Sequence, residues 1–78
     1  IAAVSKIKIP ESIKLIGAYS FTNFTNLETL VLNEKLQIIL ANAFSACSSL
    51  TTVTIPKYVH SLALTAFSNC TNLVDNSL

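Results

Sequence analysis

The stretch "AFSACSSL" (residues 43–50) returns as "AFSNCTNL" (residues 66–73), 23 positions further along the chain. The same period runs through the rest of the sequence. Phe21, Phe44 and Phe67 fall in one column, and so do Phe24, Cys47 and Cys70. Val4, Leu27, Leu50 and Leu73 form another. Ile7, Leu30 and Val53, then Ile9, Leu32, Ile55 and Leu78, then Ile13, Leu36 and Val59, then Ile16, Ile39 and Leu62 add four more. Ser20, Ala43 and Ala66 keep one position small. Polar columns alternate with these: Thr22, Ser45 and Ser68; Thr25, Ser48 and Thr71; Asn26, Ser49 and Asn72; Lys14, Gln37 and His60. Apolar and polar positions that recur together without a gap are the mark of stacked repeats, each covering its neighbour's apolar face.

Within one period the pattern changes. Leu30-Val31-Leu32 and Val53-Thr54-Ile55 put apolar side chains two apart among β-branched neighbours, which predicts short strands. Pro10 and Pro56 follow the strand columns and end them, because proline has no amide hydrogen to give a ladder. Phe44, Cys47 and Leu50 are three apart, which predicts a helical or 3₁₀ turn with one inward side. Each unit reads as strand, bend, short helical arc, return.

Composition narrows the function. The 78 residues carry a net charge of +1 and no Arg, so no basic field exists to hold a nucleic-acid backbone. No apolar run approaches the roughly 20 residues of a membrane-spanning helix. The chain begins at Ile1 with nothing resembling a signal peptide, and it reads as residues 1–78 of a longer array, about three and a half repeats. Two Cys are too few for a disulfide framework. Stacking would set their Cα atoms ~4.8 Å apart, but parallel stacking points both side chains the same way and a bridge would be strained. The expectation is two buried thiols packed as small hydrophobes.

Catalytic and metal chemistry lack their residues. His60 is the only His, and its column-mates Lys14 and Gln37 put it on a wet surface, away from the thiols. No metal site is expected, because zinc needs three or four convergent ligands. Glu11, Glu28, Glu34 and Asp75 are scattered, and no nucleophile–base–acid order is present. The one Gly rules out a glycine-rich phosphate loop. No enzyme and no cofactor are expected. Asn23-Phe24-Thr25 and Asn69-Cys70-Thr71 match the N-glycosylation acceptor pattern, usable at Asn23 and Asn69 if exposed in a secreted eukaryotic protein.

Leu27-x-x-Leu30-x-Leu32 followed by Leu36, Ala43-Phe44-x-x-Cys47-x-x-Leu50, and Ile55-Pro56-x-x-Val59 together resemble the 23-residue BspA-type leucine-rich repeat. The resemblance covers essentially the whole chain. It implies an α/β leucine-rich-repeat solenoid with a parallel β-sheet on the concave face and short helical or irregular arcs. Such repeats are typical of surface proteins of oral bacteria and of mucosal protists. Gly17 fits the family's glycine after the inward Ile, whereas Leu40 and Ala63 depart from it. Asn33 stands in the proline column and Phe24 in the cysteine column.

The resemblance also points to a place for a partner. The outward positions of the sheet are Lys6 and Lys8, Thr29 and Val31, Thr52 and Thr54, and Asp75 and Ser77, with Lys57 and Tyr58 beside them. Tyr58 is the best single anchor, since aromatics are enriched in binding hot spots. The extra apolar groups of Ile38-Ile39-Leu40 read either as cover for the turn or as a patch for another domain. The leading function is a protein-binding module of a cell-surface or secreted protein, for adhesion or recognition of a host, matrix or other surface protein. The alternative is an intracellular scaffold segment that uses the solenoid as a spacer. Apolar ends without charged caps predict end-to-end stacking with further repeats.

Overall fold

The computed structural model describes residues 4–74. Two parallel ladders run across the repeat units, both with an offset of 23 residues. In the first, β1 (Lys6–Lys8) pairs with β3 (Thr29–Val31), setting Lys6 beside Thr29, Ile7 beside Leu30 and Lys8 beside Val31. A single parallel bridge from Thr29 to Thr52 carries it into the third unit. In the second, β2 (Leu15–Ile16), β4 (Ile38–Ile39) and β5 (Ser61–Leu62) lie in that order. Ile16, Ile39 and Leu62 stand in one row across it.

This arrangement differs from the expected single sheet. The run Ile38-Ile39 is a strand of its own ladder, where the sequence suggested cover for a turn or a patch for another domain. The signal was present in the inward column Ile16, Ile39 and Leu62, but two-residue strands are too short to show an alternation. The strand expected over Val53–Ile55 is reduced to the Thr52 bridge. The expected outward positions Asp75 and Ser77 and the expected core position Leu78 lie outside the described residues.

Of the helical or irregular arcs expected, the helical form is corrected: among the described residues the arcs are turns and none is a helix. Each unit makes three backbone turns at equivalent places. In the middle unit these are Ala43 N–H to Leu40 O, Ser45 N–H to Asn42 O, and Leu50 N–H to Cys47 O. Two things stop them from joining into a helix. Asn42 and Ala46 adopt φ of 58° and 60°, in the left-handed region. The intervening amides bond sideways: Phe44 N–H donates to Ala66 O and Ala46 N–H to Ser68 O, each at 2.8 Å. The arc therefore forms a third set of inter-unit hydrogen bonds, and its alternate donors are spent across the stack.

Apolar columns fill the space between the ladders and the arc. Leu27, Leu36, Ile39, Phe44, Cys47 and Leu50 are fully buried. Phe21, Phe44 and Phe67 stack as one pile, with ring centroids 5.2 Å and 5.3 Å apart and planes within 7°. The middle ring is buried and the outer two are half-buried, packed on the core from either end.

The departures from the repeat pattern have local solutions. Asn33 is buried, and its side-chain amide donates to Pro10 O at 2.7 Å and Ile13 O at 2.9 Å, while its Oδ1 accepts from Lys35 N–H at 2.7 Å. It holds the bend by hydrogen bonds where the other units use a proline ring. Leu40 and Ala63 make the same bend as Gly17, whose φ is not positive, so no glycine is required there. Leu40 N–H bonds Ile16 O and Ala63 N–H bonds Ile39 O, each at 3.0 Å. The polar column Thr22, Ser45, Ser68 is not simply solvated. Ser45 is buried, with its hydroxyl 2.6 Å from that of Thr22.

Candidate functional site

Inward side chains at Ile7, Leu30 and Val53 turn their neighbours along the first ladder outward, because side chains alternate along a strand. Lys6, Thr29 and Thr52 form one outward row. Lys8 and Val31 form a second, with Thr54 in the equivalent column. All six are exposed, Val31 by 40% despite being apolar. Beside the second row, a shallow groove is lined by Lys8, Pro10, Glu11, Val31, Asn33 and Glu34, so cations and carboxylates meet at its edges.

Lys57 and Tyr58 are placed differently. They belong to the bend between the two ladders, and Tyr58 faces a separate groove with Lys14, Lys35, Gln37 and His60. Tyr58 is 62% exposed, and Lys57 Nζ sits 5.3 Å from its ring centroid, a cation–π contact. The structure thus brings Lys6, Lys8, Thr29, Val31, Thr52 and Thr54 to one face and sets Lys57 and Tyr58 on the adjoining corner. Sequence reasoning noted the polar column Lys14, Gln37, His60 but did not join it to Tyr58. The columns of Tyr58 and His60 are two residues apart, and only the bend folds them onto one groove.

The second ladder presents Leu15, Ile38 and Ser61 outward, with Leu15 47% exposed and Leu40 37% exposed beside it. Ile38 therefore lies on the outer face of a strand, and Leu40 is exposed just after it.

Asn23 and Asn69 are both exposed, at φ of 65° and 60°. Ala46, between them in the column, has the same left-handed backbone. Asparagine tolerates that conformation better than most residues. Backbone shape alone accounts for Asn at these two places.

Cys47 and Cys70 are buried free thiols. Cys47 Sγ donates to Phe21 O at 3.4 Å and Cys70 Sγ to Phe44 O at 3.2 Å, the same bond repeated one unit on. Hydrogen bonding with Cys70, then burial, pushes the Cys47 thiol up. It stays protonated and is a poor nucleophile and metal ligand. Among the described residues no three His, Cys, Asp or Glu side chains come together as a metal cluster. No helix there is long and apolar enough to cross a membrane.

The period, the parallel register and the repeated turns agree with a family match. The family model described as "BspA type Leucine rich repeat region (6 copies)" matches residues 2–78. The chain belongs to the BspA-type leucine-rich repeat family. Its fold is similar to the crystal structure of a leucine rich cell surface protein from Faecalibacterium prausnitzii A2-165, with a TM-score of 0.59 and 26% identity. The match covers 92% of this BspA-type chain and 25% of that protein, so this chain spans about a quarter of the other's length. No curated protein matches.

Proposed function

We propose that this BspA-type segment is a protein-binding module of a cell-surface or secreted protein, and that it works in adhesion or recognition through the outer face of the first ladder. The observation that carries the reading is the pair of rows Lys6–Thr29–Thr52 and Lys8–Val31–Thr54. These side chains stand exposed on backbone held by the 23-residue register. A rigid backbone lowers the ordering cost of binding. The mixture of two Lys, three Thr and one exposed Val suits a polar, weakly apolar protein surface. The similarity to a cell surface protein supports the placement outside the cell. In this reading the units continue as a solenoid with this face concave. Further repeats stack on the apolar edge that Leu62, Leu64 and Phe67 line.

Photo-crosslinkers placed singly at Thr29 and Thr52 test the face, with one at the exposed Thr25 in the arc as control. Incubation with host-cell surface and matrix proteins should give a discrete product from the first two positions that Val31→Glu suppresses. Equal products from Thr25, or products insensitive to Val31→Glu, would remove the face from consideration.

The second reading is an intracellular scaffold segment. The two buried free thiols are compatible with it. Antibody access to the segment on intact, unpermeabilised cells separates the two.

A further inference from the structure

We propose that the corner between the two ladders is a second binding site, for an extended acidic peptide segment of a partner protein. It is distinct from the outer face of the first ladder, and it deepens the protein-binding reading by naming a partner chemistry. The groove at this corner has a volume of about 420 Å³ and is lined by Lys14, Lys35, Gln37, Tyr58 and His60. None of these is acidic. With Lys57 against the Tyr58 ring, the corner gathers three of the chain's five Lys, its only His and one of its two Tyr. Glu11 and Glu34, the nearest carboxylates in sequence, line the neighbouring groove beside Lys8 instead.

The backbone sets the spacing of these groups. Gln37 N–H donates to Lys14 O at 2.9 Å and His60 N–H to Gln37 O at 3.0 Å, so the three residues form one row along the stacking axis. Neighbouring rungs of a parallel ladder are ~4.8 Å apart, which puts Lys14 and His60 ~9.6 Å apart at the backbone. A polyproline II peptide rises about 3.1 Å per residue with three residues per turn, so side chains three apart share a face about 9.3 Å apart. Carboxylates at i and i+3 of such a peptide meet Lys14 and His60 together. Lys35 reaches the same strand from the side, and Tyr58 offers a flat apolar floor for the residues between. Gln37, in the middle of the row, can donate or accept a hydrogen bond to the peptide backbone. Every group in the groove is exposed, so the attraction is screened by salt and the contact is weak and fast.

The test titrates the 78-residue chain into fluorescein-labelled (Pro-Pro-Glu)₄, with (Pro-Pro-Gln)₄ and heparin as parallel probes, at low and at physiological salt. The Glu peptide should bind with an affinity that falls several-fold on raising the salt. The Gln peptide should bind at least tenfold more weakly. Lys14→Glu/Lys35→Glu should lose at least tenfold, while Lys6→Glu/Lys8→Glu on the outer face should bind as the parent does. Amide shifts in the unaltered chain should centre on Lys14, Gln37 and His60, which keeps the test independent of any variant's folding. Equal binding of Glu and Gln peptides, heparin binding without peptide binding, shifts centred elsewhere, or a loss confined to Lys6→Glu/Lys8→Glu would each overturn the proposal. Only the crosslinking result on Thr29 and Thr52 bears on the outer face, so the two sites stand or fall separately.

Discussion

The ring of Phe44 lies 5.3 Å from that of Phe67 and 7° from parallel, although 23 residues separate them in the chain. Phe21 repeats the relation on the other side of Phe44 at 5.2 Å. A pile of this kind forms only if the units keep register through the arc as well as through the strands. The backbone bonds from Phe21 to Ala43 and from Phe44 to Ala66, each at 2.8 Å, hold it there.

Phe44→Ala removes the middle ring, which has no exposed surface, and leaves a cavity bounded by two rings that cannot close over it. The expected loss is about 3–5 kcal/mol. Phe67→Ala, at the half-buried end of the pile, should cost less. Urea denaturation of the two variants beside the parent checks the order, and equal losses would contradict the stack.

Asn33→Ala removes the side-chain partner of Pro10 O, Ile13 O and Lys35 N–H in a part-buried bend, where Pro10 O keeps the bond from Ile13 N–H. About 1 kcal/mol of stability should go, the net worth of ordinary hydrogen bonds whose freed partners water can reach. Asn33→Asp keeps the acceptor for Lys35 but turns a carboxylate oxygen toward two carbonyls. Its folded pKa should therefore lie above the unfolded value of about 3.9. Below that pH the acid is neutral in both states and the variant is at its best. Stability should fall as pH rises through the folded pKa. Thermal melts across pH 3–7 show whether the Asp variant, and not the Ala variant, has this slope.

Ala46 holds φ of 60° in a column where Asn23 and Asn69 hold 65° and 60°. Ala46→Asn should stabilise the chain by up to about 1 kcal/mol, because asparagine tolerates the left-handed region that alanine's Cβ disfavours. A lower melting temperature for this variant would show that the half-buried site cannot admit the larger side chain.

Cys47 should resist a bulky maleimide until the chain unfolds, since it is fully buried and its thiol is pushed up by Cys70 and by burial. Cys70, buried more shallowly at 9% exposure, should label sooner but still slowly. Mass spectrometry of samples quenched with and without denaturant reads both rates. Immediate modification of Cys47 in the folded chain would place the column at the surface.

The repeat itself was legible without coordinates. A gap-free period of 23 predicts the register, and the structure pairs Lys6 with Thr29 and Ile38 with Ser61 at that offset. The apolar columns predict the inside, and Leu27, Leu36, Phe44, Cys47 and Leu50 are buried as their columns require. These features repeat unit by unit, so each unit reports on the others and a single odd residue such as Asn33 does not blur the pattern.

What one unit does inside its period was decided by tertiary contacts. Phe44, Cys47 and Leu50 have helical spacing, yet the arc is a set of turns because its amides bond to the next unit and Asn42 and Ala46 turn left-handed. Ile38-Ile39 became a strand because Leu15-Ile16 lies alongside it, a neighbour 23 residues away that no local window contains. The candidate surfaces divide in the same way. Alternation along the strand placed Lys6, Lys8, Thr29 and Val31 on one face from the sequence alone. The corner that joins Lys14 and His60 to Tyr58 depends on how sharply the chain bends after the first ladder. In the middle unit the hydrogen bonds of Asn33 hold that bend, and a column of residue types does not encode it.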